Sequence, residues 1–231
     1  MPWEEEADDS QIIQRHCLNT MDMTQALRQI TGQETIQFRR VQTAVLQAIQ
    51  NSKSPVLAVM RIDRKKNILF ILPVFTEPGE TIIMVVPLLS LHRDIIQQCQ
   101  ILDISCISWE SCRLPDKTII ILVTPESAVT EDFYIFINRL KQTQRLNRIV
   151  IDKYYVVLNN QQNFRSELQQ LKQLNHARIQ IVLLTATLSS ILEKTLLQYI
   201  EYQVNQVRIL QNRTSRSNMI YRVWYSPNRL I

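Results

Sequence analysis

At 231 residues, 45% hydrophobic and 20% charged, the chain is long enough for one large α/β domain or one domain with appendages, and its make-up is that of a soluble globular protein. No apolar run approaches the ~20 residues of a membrane span, and no basic-then-apolar leader opens the chain, so the reading is of an intracellular protein with no membrane partner. The net charge of +5 is uneven: residues 1–10 hold five acids (Glu4, Glu5, Glu6, Asp8, Asp9) and no base, leaving 26 basic against 16 acidic side chains elsewhere, a net of +10. Such a body either attracts polyanions such as nucleic acid or is an ordinary solvated basic surface, and charge alone leaves both open.

Residues 1–10 read as an acidic start without fixed structure, and residues 11–31 as a helix using Ile12, Ile13, Leu18, Met23, Leu27 and Ile30, closed by Gly32. A second helix is predicted over Thr35–Asn51 from the spacing of Val41, Ala44, Val45, Ala48 and Ile49. The stretch from Pro55 to Pro73 then sets the pattern for the rest. Val56–Met60 reads as a buried strand, Arg61–Lys66 as a charged turn, and Ile68–Leu72 as the start of a helix packed back on the strand. An alternation follows, with strands predicted at Thr81–Val86, Ser105–Trp109, Thr118–Val123, Arg148–Asp152 and Ile179–Thr185. Helices are predicted between them at Leu88–Gln100, Ser127–Gln144 and Phe164–Leu174, and after them at Ser190–Tyr199, with short strands near Gln206–Leu210 and Ile220–Tyr225. Strands apolar throughout, separated by amphipathic helices, indicate an α/β fold: a parallel sheet with helices on both faces and a helical N-terminal extension.

The four cysteines (Cys17, Cys99, Cys106, Cys112) form no CxxC and have no histidine at ligand spacing, which predicts reduced, mostly buried thiols and no zinc site. Only two glycines occur, Gly32 and Gly79, where average usage of ~7% would give roughly 16. Helix C-caps and positive-φ turns ordinarily need that residue, so the deficit asks for a cause.

Parallel sheets bind ligands at the C-terminal ends of their strands. Five polar or charged segments lie just past predicted strand ends: the turn at 61–67, Pro87–Ser90, Thr124–Glu126, Asp152, and Thr185–Thr187. In sequence order they resemble the first RecA-like lobe of superfamily-2 (DEAD/DEAH-type) helicases, a P-loop NTPase fold, and most closely the RecQ-like DNA helicases of fungal type. FRRVQ (Phe38–Gln42) resembles the segment whose glutamine reads adenine. VLAVM, six residues, then NILFILP resembles the strand, phosphate loop and helix. VVPLLSL (Val85–Leu91), LVTPESA (Leu122–Ala128), VIDKYYVVLN (Val150–Asn159) and LLTATL (Leu183–Leu188) resemble the later helicase motifs. The resemblance covers about residues 36–225 and divides the chain into an acidic start and helical extension (1–34), a helicase ATP-binding domain (35–215) and the beginning of a second lobe (216–231). It implies ATP and Mg²⁺ as cofactors, DNA as partner and a nuclear location, with the second helicase lobe absent from this chain.

Carried over residue by residue, the resemblance places Phe38, Arg39 and Gln42 around the base. Arg61, Ile62, Asp63, Arg64, Lys65, Lys66 and Asn67 fall in the phosphate loop. Asp152 and Lys153 take the Mg²⁺-binding and general-base positions, and Thr185 and Thr187 the coupling motif. Ser90, Arg93, Thr124 and Ser127 would contact the nucleic-acid backbone. The chemistry departs from the family at two of these places. A phosphate loop close to GTGGGKS wraps backbone N–H groups around phosphates because its glycines take positive φ and present no side chain. Here five side chains fill those positions, Asp63 brings a like charge towards phosphate, and only Lys66 keeps its point charge. Asn67 replaces the Mg²⁺-binding serine. Lys153 stands where a glutamate would activate the attacking water, and a protonated amine is no general base. The plain alternatives are a basic surface loop at 61–67, Asp152 and Thr187 as capping residues, and Gln42 as the polar edge of an amphipathic helix.

The replacements share a feature. Glycine to arginine, aspartate or lysine, threonine to isoleucine, serine to asparagine, glutamate to lysine, and cysteine or histidine to tyrosine each follow from G→A or C→T changes alone. Deamination of cytosine on both strands, of the kind filamentous fungi direct at repeated DNA, would also strip glycine codons along the whole chain. The sequence therefore reads as a degenerate helicase lobe, without ATPase or unwinding activity and with residual nucleic-acid binding. Its rivals are a retained pseudoenzyme acting as a nucleic-acid- or partner-binding module, and a functional ATP-binding helicase fragment.

Overall fold

The computed structural model describes residues 22–38, 40–51, 53–60, 67–76, 80–110, 118–152, 179–186, 188, 193 and 206–211. Helix α1 (Met23–Thr31) starts where the Asp22 carboxylate accepts from the N–H groups of Thr24 at 2.8 Å and Gln25 at 3.4 Å. Those contacts satisfy two of the donors that every helix start leaves open. The helix ends at Gly32, whose φ of 64° is left-handed and whose N–H bonds back to the Arg28 carbonyl at 2.8 Å. Helix α2 (Arg40–Gln50) buries Gln42, Val45, Leu46, Ala48 and Ile49, one stripe at helical spacing.

Seven strands follow: β1 (Val56–Val59), β2 (Thr81–Val85), β3 (Cys106–Ser108), β4 (Ile120–Val123), β5 (Leu146–Asp152), β6 (Gln180–Thr185) and β7 (Arg208–Gln211). Helices α3 (Ile68–Thr76), α4 (Leu89–Ile101) and α5 (Glu131–Gln142) lie between them. The strands form one sheet in the order β3-β4-β2-β5-β6-β1-β7, and every pairing is parallel. Alternation along the strands divides the core in two. Val56, Ala58, Met84, Leu122, Val150, Val182 and Leu184 meet α1, α2, α3 and α4 on one face. Leu57, Val59, Ile83, Val85, Ile121, Ile149, Ile151 and Leu183 meet Phe133, Phe136, Ile137 and Leu140 of α5 on the other. Both faces are covered, so the central strands carry apolar runs on both faces, with polar residues such as Thr81, Arg148, Gln180 and Thr185 at or near their ends.

Several boundaries differ from the expectation, and four of the differences bear on local structure. The first helix begins at Met23, because Asp22 is extended and caps it; the rest of the expected 11–31 helix lies outside the described residues. Helix α2 begins at Arg40, and Thr35–Phe38 are a turn residue followed by irregular backbone. The expected helix at Ser127–Gln144 is broken: a 3₁₀ turn spans Ser127–Val129, Thr130 is extended at φ −73°, ψ 150°, and its hydroxyl accepts from Phe133 N–H to cap α5. Strand β5 starts at Leu146, two residues early, with a register slip opposite Thr81/Ile82 that leaves Asn147 out of the pairing.

Cys99 and Cys106 are buried and unbridged. The Cys106 S–H points at Cys99 Sγ, which holds the Cys99 thiol below its ordinary range, and the same bond with burial pushes Cys106 up. Cys17 and Cys112 lie outside the described residues. Among the described residues no helix is long and apolar enough to cross a membrane, and no group of three or more His, Cys, Asp or Glu side chains is placed to hold a metal.

Candidate nucleotide and nucleic-acid site

Strand order fixes what meets along the C-terminal crest of the sheet. The connection leaving β1 crosses to β2, three strands away on one side, while that leaving neighbouring β6 runs to β7 on the other. Adjacent strands whose connections leave in opposite directions open a crevice above their ends. At this crevice Val59 pairs in register with Thr185, and the ladder runs one step further where Met60 N–H donates to the Thr185 carbonyl at 2.8 Å. Asp152 pairs with Leu184 and so ends β5 one residue below Thr185, on the face that carries Val150, Leu184 and α3. Thr185 is buried and Asp152 half-buried. The register thus brings together Asp152, Thr185 and the mouth of the 61–66 turn. Arg61, Ile62, Asp63, Arg64, Lys65 and Lys66 themselves lie outside the described residues, as do Arg39, Lys153 and Thr187.

Helix α3 opens at Asn67, whose carbonyl accepts from Phe70 N–H at 3.2 Å and Ile71 N–H at 3.0 Å. The Asn67 amide nitrogen donates to Gln98 Oε1 of α4 at 2.6 Å. The side chain standing at the Mg²⁺-binding position is therefore engaged with a neighbouring helix. Gln98 is a partner that sequence reasoning missed, since nothing local marks a contact 31 residues away. Gln42 is 3% exposed on the sheet side of α2. Phe38 is half-buried against the same core. Gln42 is carried on α2, which packs on β1 and β7.

The other half of the crest is built by β2 and β4, which are neighbours. Val86 N–H extends their ladder to the Val123 carbonyl at 2.9 Å. The chain then turns through Pro87 into α4, exposing Leu88, Leu89, Ser90 and Arg93. Beside it, Thr124 Oγ1 accepts from Ser127 N–H at 3.3 Å and donates to Ser127 Oγ at 3.2 Å, which holds the 124–127 turn closed. Trp109 is 8% exposed and packs edge-on against Phe133 and tilted against Phe136, with ring centroids at 5.0 and 4.7 Å. Asp152 at the end of β5 lies between these two halves, so the residues past β1 and β6 and those past β2 and β4 form one continuous edge.

A family model for the DEAD/DEAH box helicase matches residues 39–195. The chain belongs to the DEAD/DEAH box helicase family. Solved structures agree on the RecA-like helicase fold. The DUF1998 helicase MrfA bound to DNA superposes with a TM-score of 0.63 at 14% identity, over 84% of this chain and 30% of that one. S. cerevisiae Dbp5 bound to RNA and ADP BeF3 gives 0.61 at 16% identity, over 85% of this chain and 51% of that one. The chain thus spans 30% and 51% of the lengths of these two helicases. No curated protein matches it significantly.

DEAD/DEAH box helicases generally bind ATP with Mg²⁺. The described side chains offer that pair few ligands. An octahedral Mg²⁺ takes hard oxygen ligands at close range. Asp152 would supply one carboxylate, and Asn67, whose amide nitrogen is turned to Gln98, an amide oxygen.

Proposed function

We propose that this helicase lobe is RecQ-like and of fungal type, and that it has lost ATP hydrolysis while keeping affinity for a nucleic-acid backbone. The observation that carries the reading is a contrast along one crest. On the nucleotide side, a strand-to-helix turn without glycine sits between β1 and α3, and Lys153 follows Asp152 where a general base would stand. Backbone N–H groups cannot close around phosphates past five side chains, and an ammonium cannot take a proton from water. On the other side, contact with a nucleic-acid backbone asks only for hydroxyls, amides and positive charge, which Ser90, Arg93, Thr124 and Ser127 supply on adjacent strand ends. Lys66, Thr185 and Thr187 keep their family positions without a working catalytic group between them.

Decay by C-to-T hypermutation accounts for both the kinds of substitution and the glycine deficit. The coding DNA decides between that origin and a retained pseudoenzyme: AT-rich codons and a depleted preferred dinucleotide support decay, and ordinary base composition rejects it. The binding side is tested by titrating a labelled single-stranded DNA oligonucleotide and its RNA counterpart at several salt concentrations. The reading predicts salt-dependent binding weakened by Arg93→Ala and unaffected by ATP. No binding of either strand at 50 mM salt or so would overturn it.

A further inference from the structure

We infer that His92 is a positioning residue: its buried imidazole locks the first turn of α4 onto the ends of β2 and β3, and so sets where Ser90 and Arg93 meet a phosphate backbone. The inference rests on reading that crest as a nucleic-acid surface.

The first turn of α4 lacks a local anchor. Asp22 caps α1 and Thr130 caps α5, but Leu88 at the start of α4 makes no side-chain cap bond. The turn is also the most exposed apolar segment of the crest, with Leu88 45% and Leu89 65% exposed. Of its apolar side chains only Leu91 packs against the core, and it is half-buried. His92, one turn further on, is 3% exposed. Its Nε2 lies 3.1 Å from the Val86 carbonyl and its Nδ1 2.9 Å from Ser108 Oγ. A carbonyl can only accept, so Nε2 donates to Val86, and Nδ1 is paired with the Ser108 hydroxyl, which can donate or accept.

The two groups it holds are the last links of the sheet at this edge. Val86 N–H bonds the Val123 carbonyl at 2.9 Å, and Trp109 N–H, next to Ser108, bonds the Leu122 carbonyl at 2.7 Å. The ring thus joins the helix to the ends of β2 and β3, both laddered to β4. Replacing it with an apolar ring would leave a buried carbonyl and a hydroxyl unpaired, and α4 would settle elsewhere to satisfy them. Ser90 and Arg93 flank His92 on the same turn, so any rotation of α4 moves both.

The test compares His92→Phe, which keeps a ring and loses both bonds, with His92→Gln, which offers a donor and an acceptor at similar spacing. Each is titrated with a labelled single-stranded oligo-dT over a range of salt, well below its Tm. The expected result for His92→Phe is about a ten-fold loss of affinity and a salt slope smaller by ~0.7, one phosphate contact, with His92→Gln restoring both. A residue that merely stabilises the fold would lower Tm and leave affinity and slope at the wild-type values, and that outcome overturns the inference.

Hydrogen exchange of the 88–93 amides in the free protein is a second readout that needs no ligand. Faster exchange in His92→Phe, rescued in His92→Gln, is expected, and unchanged exchange overturns the inference. If the wild-type chain binds no oligonucleotide, the reading of the crest fails, while the exchange result still decides whether His92 fixes this turn. Should His92→Phe not fold, Ser108→Ala removes one of the two bonds and is expected to give a smaller change of the same sign in both readouts.

Discussion

Gln180 offers a sharp test of how the crest is held, because it fastens α2, which carries Gln42, to β6, which ends in Thr185. Its side-chain amide is 9% exposed overall and donates to the Ile49 carbonyl at 3.0 Å and the Lys53 carbonyl at 2.9 Å. Ile49 belongs to the last turn of α2, whose carbonyls have no partner within the helix. Gln180 therefore caps a helix from a strand 131 residues away. In Gln180→Met the volume is kept and both bonds are lost. The Ile49 contact is buried, so its orphaned carbonyl costs about 1–3 kcal/mol, while the Lys53 carbonyl is reached by water and its loss costs about 0.5–1.5 kcal/mol. The expected sum is about 1.5–4.5 kcal/mol, or roughly 3–18 °C in Tm for a domain of this size. Gln180→Glu should be worse at neutral pH, since a carboxylate would face two carbonyls with nothing to donate. Urea denaturation measures both. A loss below ~1 kcal/mol in Gln180→Met, or wild-type stability in Gln180→Glu, would refute this role.

Phe133→Ala should destabilise by about 3–5 kcal/mol, since the ring is fully buried and meets Trp109 edge-on at 5.0 Å. With Trp3 and Trp224 replaced by Phe, Trp109 emission should shift to the red in that variant. Gly32→Ala should cost about 1–2 kcal/mol through backbone strain alone, because φ is +64° and an added Cβ would meet nothing within 4 Å. The N–H groups of Thr24 and Gln25 hold the Asp22 carboxyl below its ordinary 3.8, so its contribution is present above that pH and fades as pH falls through the depressed folded value. Acid unfolding of Asp22→Asn should lack that component, and an unchanged profile would contradict the cap.

The apolar runs at β1, β2, β4 and β6 were legible because both sheet faces are covered, and a strand buried on both sides cannot hide in an alternating pattern. Breaks inside helical stretches were less so. Residues 127–144 carry one continuous helical pattern, and only the Thr130 hydroxyl's preference for capping Phe133 divides it. The early start of β5 was masked by Asn147, which sits out of register. At the site, Asp152 and Thr185 were legible because each directly follows a strand, and parallel pairing then brings them side by side. Gln98, His92 and Gln180 were not: each acts through partners on other elements, and no local spacing marks such contacts. The burial of Gln42 on α2 and the half-burial of Phe38 follow from packing that only the fold reveals.

The account holds that the β1–α3 stretch keeps the architecture of a nucleotide site without its chemistry, and calorimetric titration of the purified chain with Mg²⁺-ATP tests this most directly. It predicts no saturable, Mg²⁺-dependent heat up to millimolar nucleotide. Micromolar binding, about 8 kcal/mol of favourable free energy, that disappears in Lys66→Ala would contradict it and restore the turn at 61–66 as a working phosphate site.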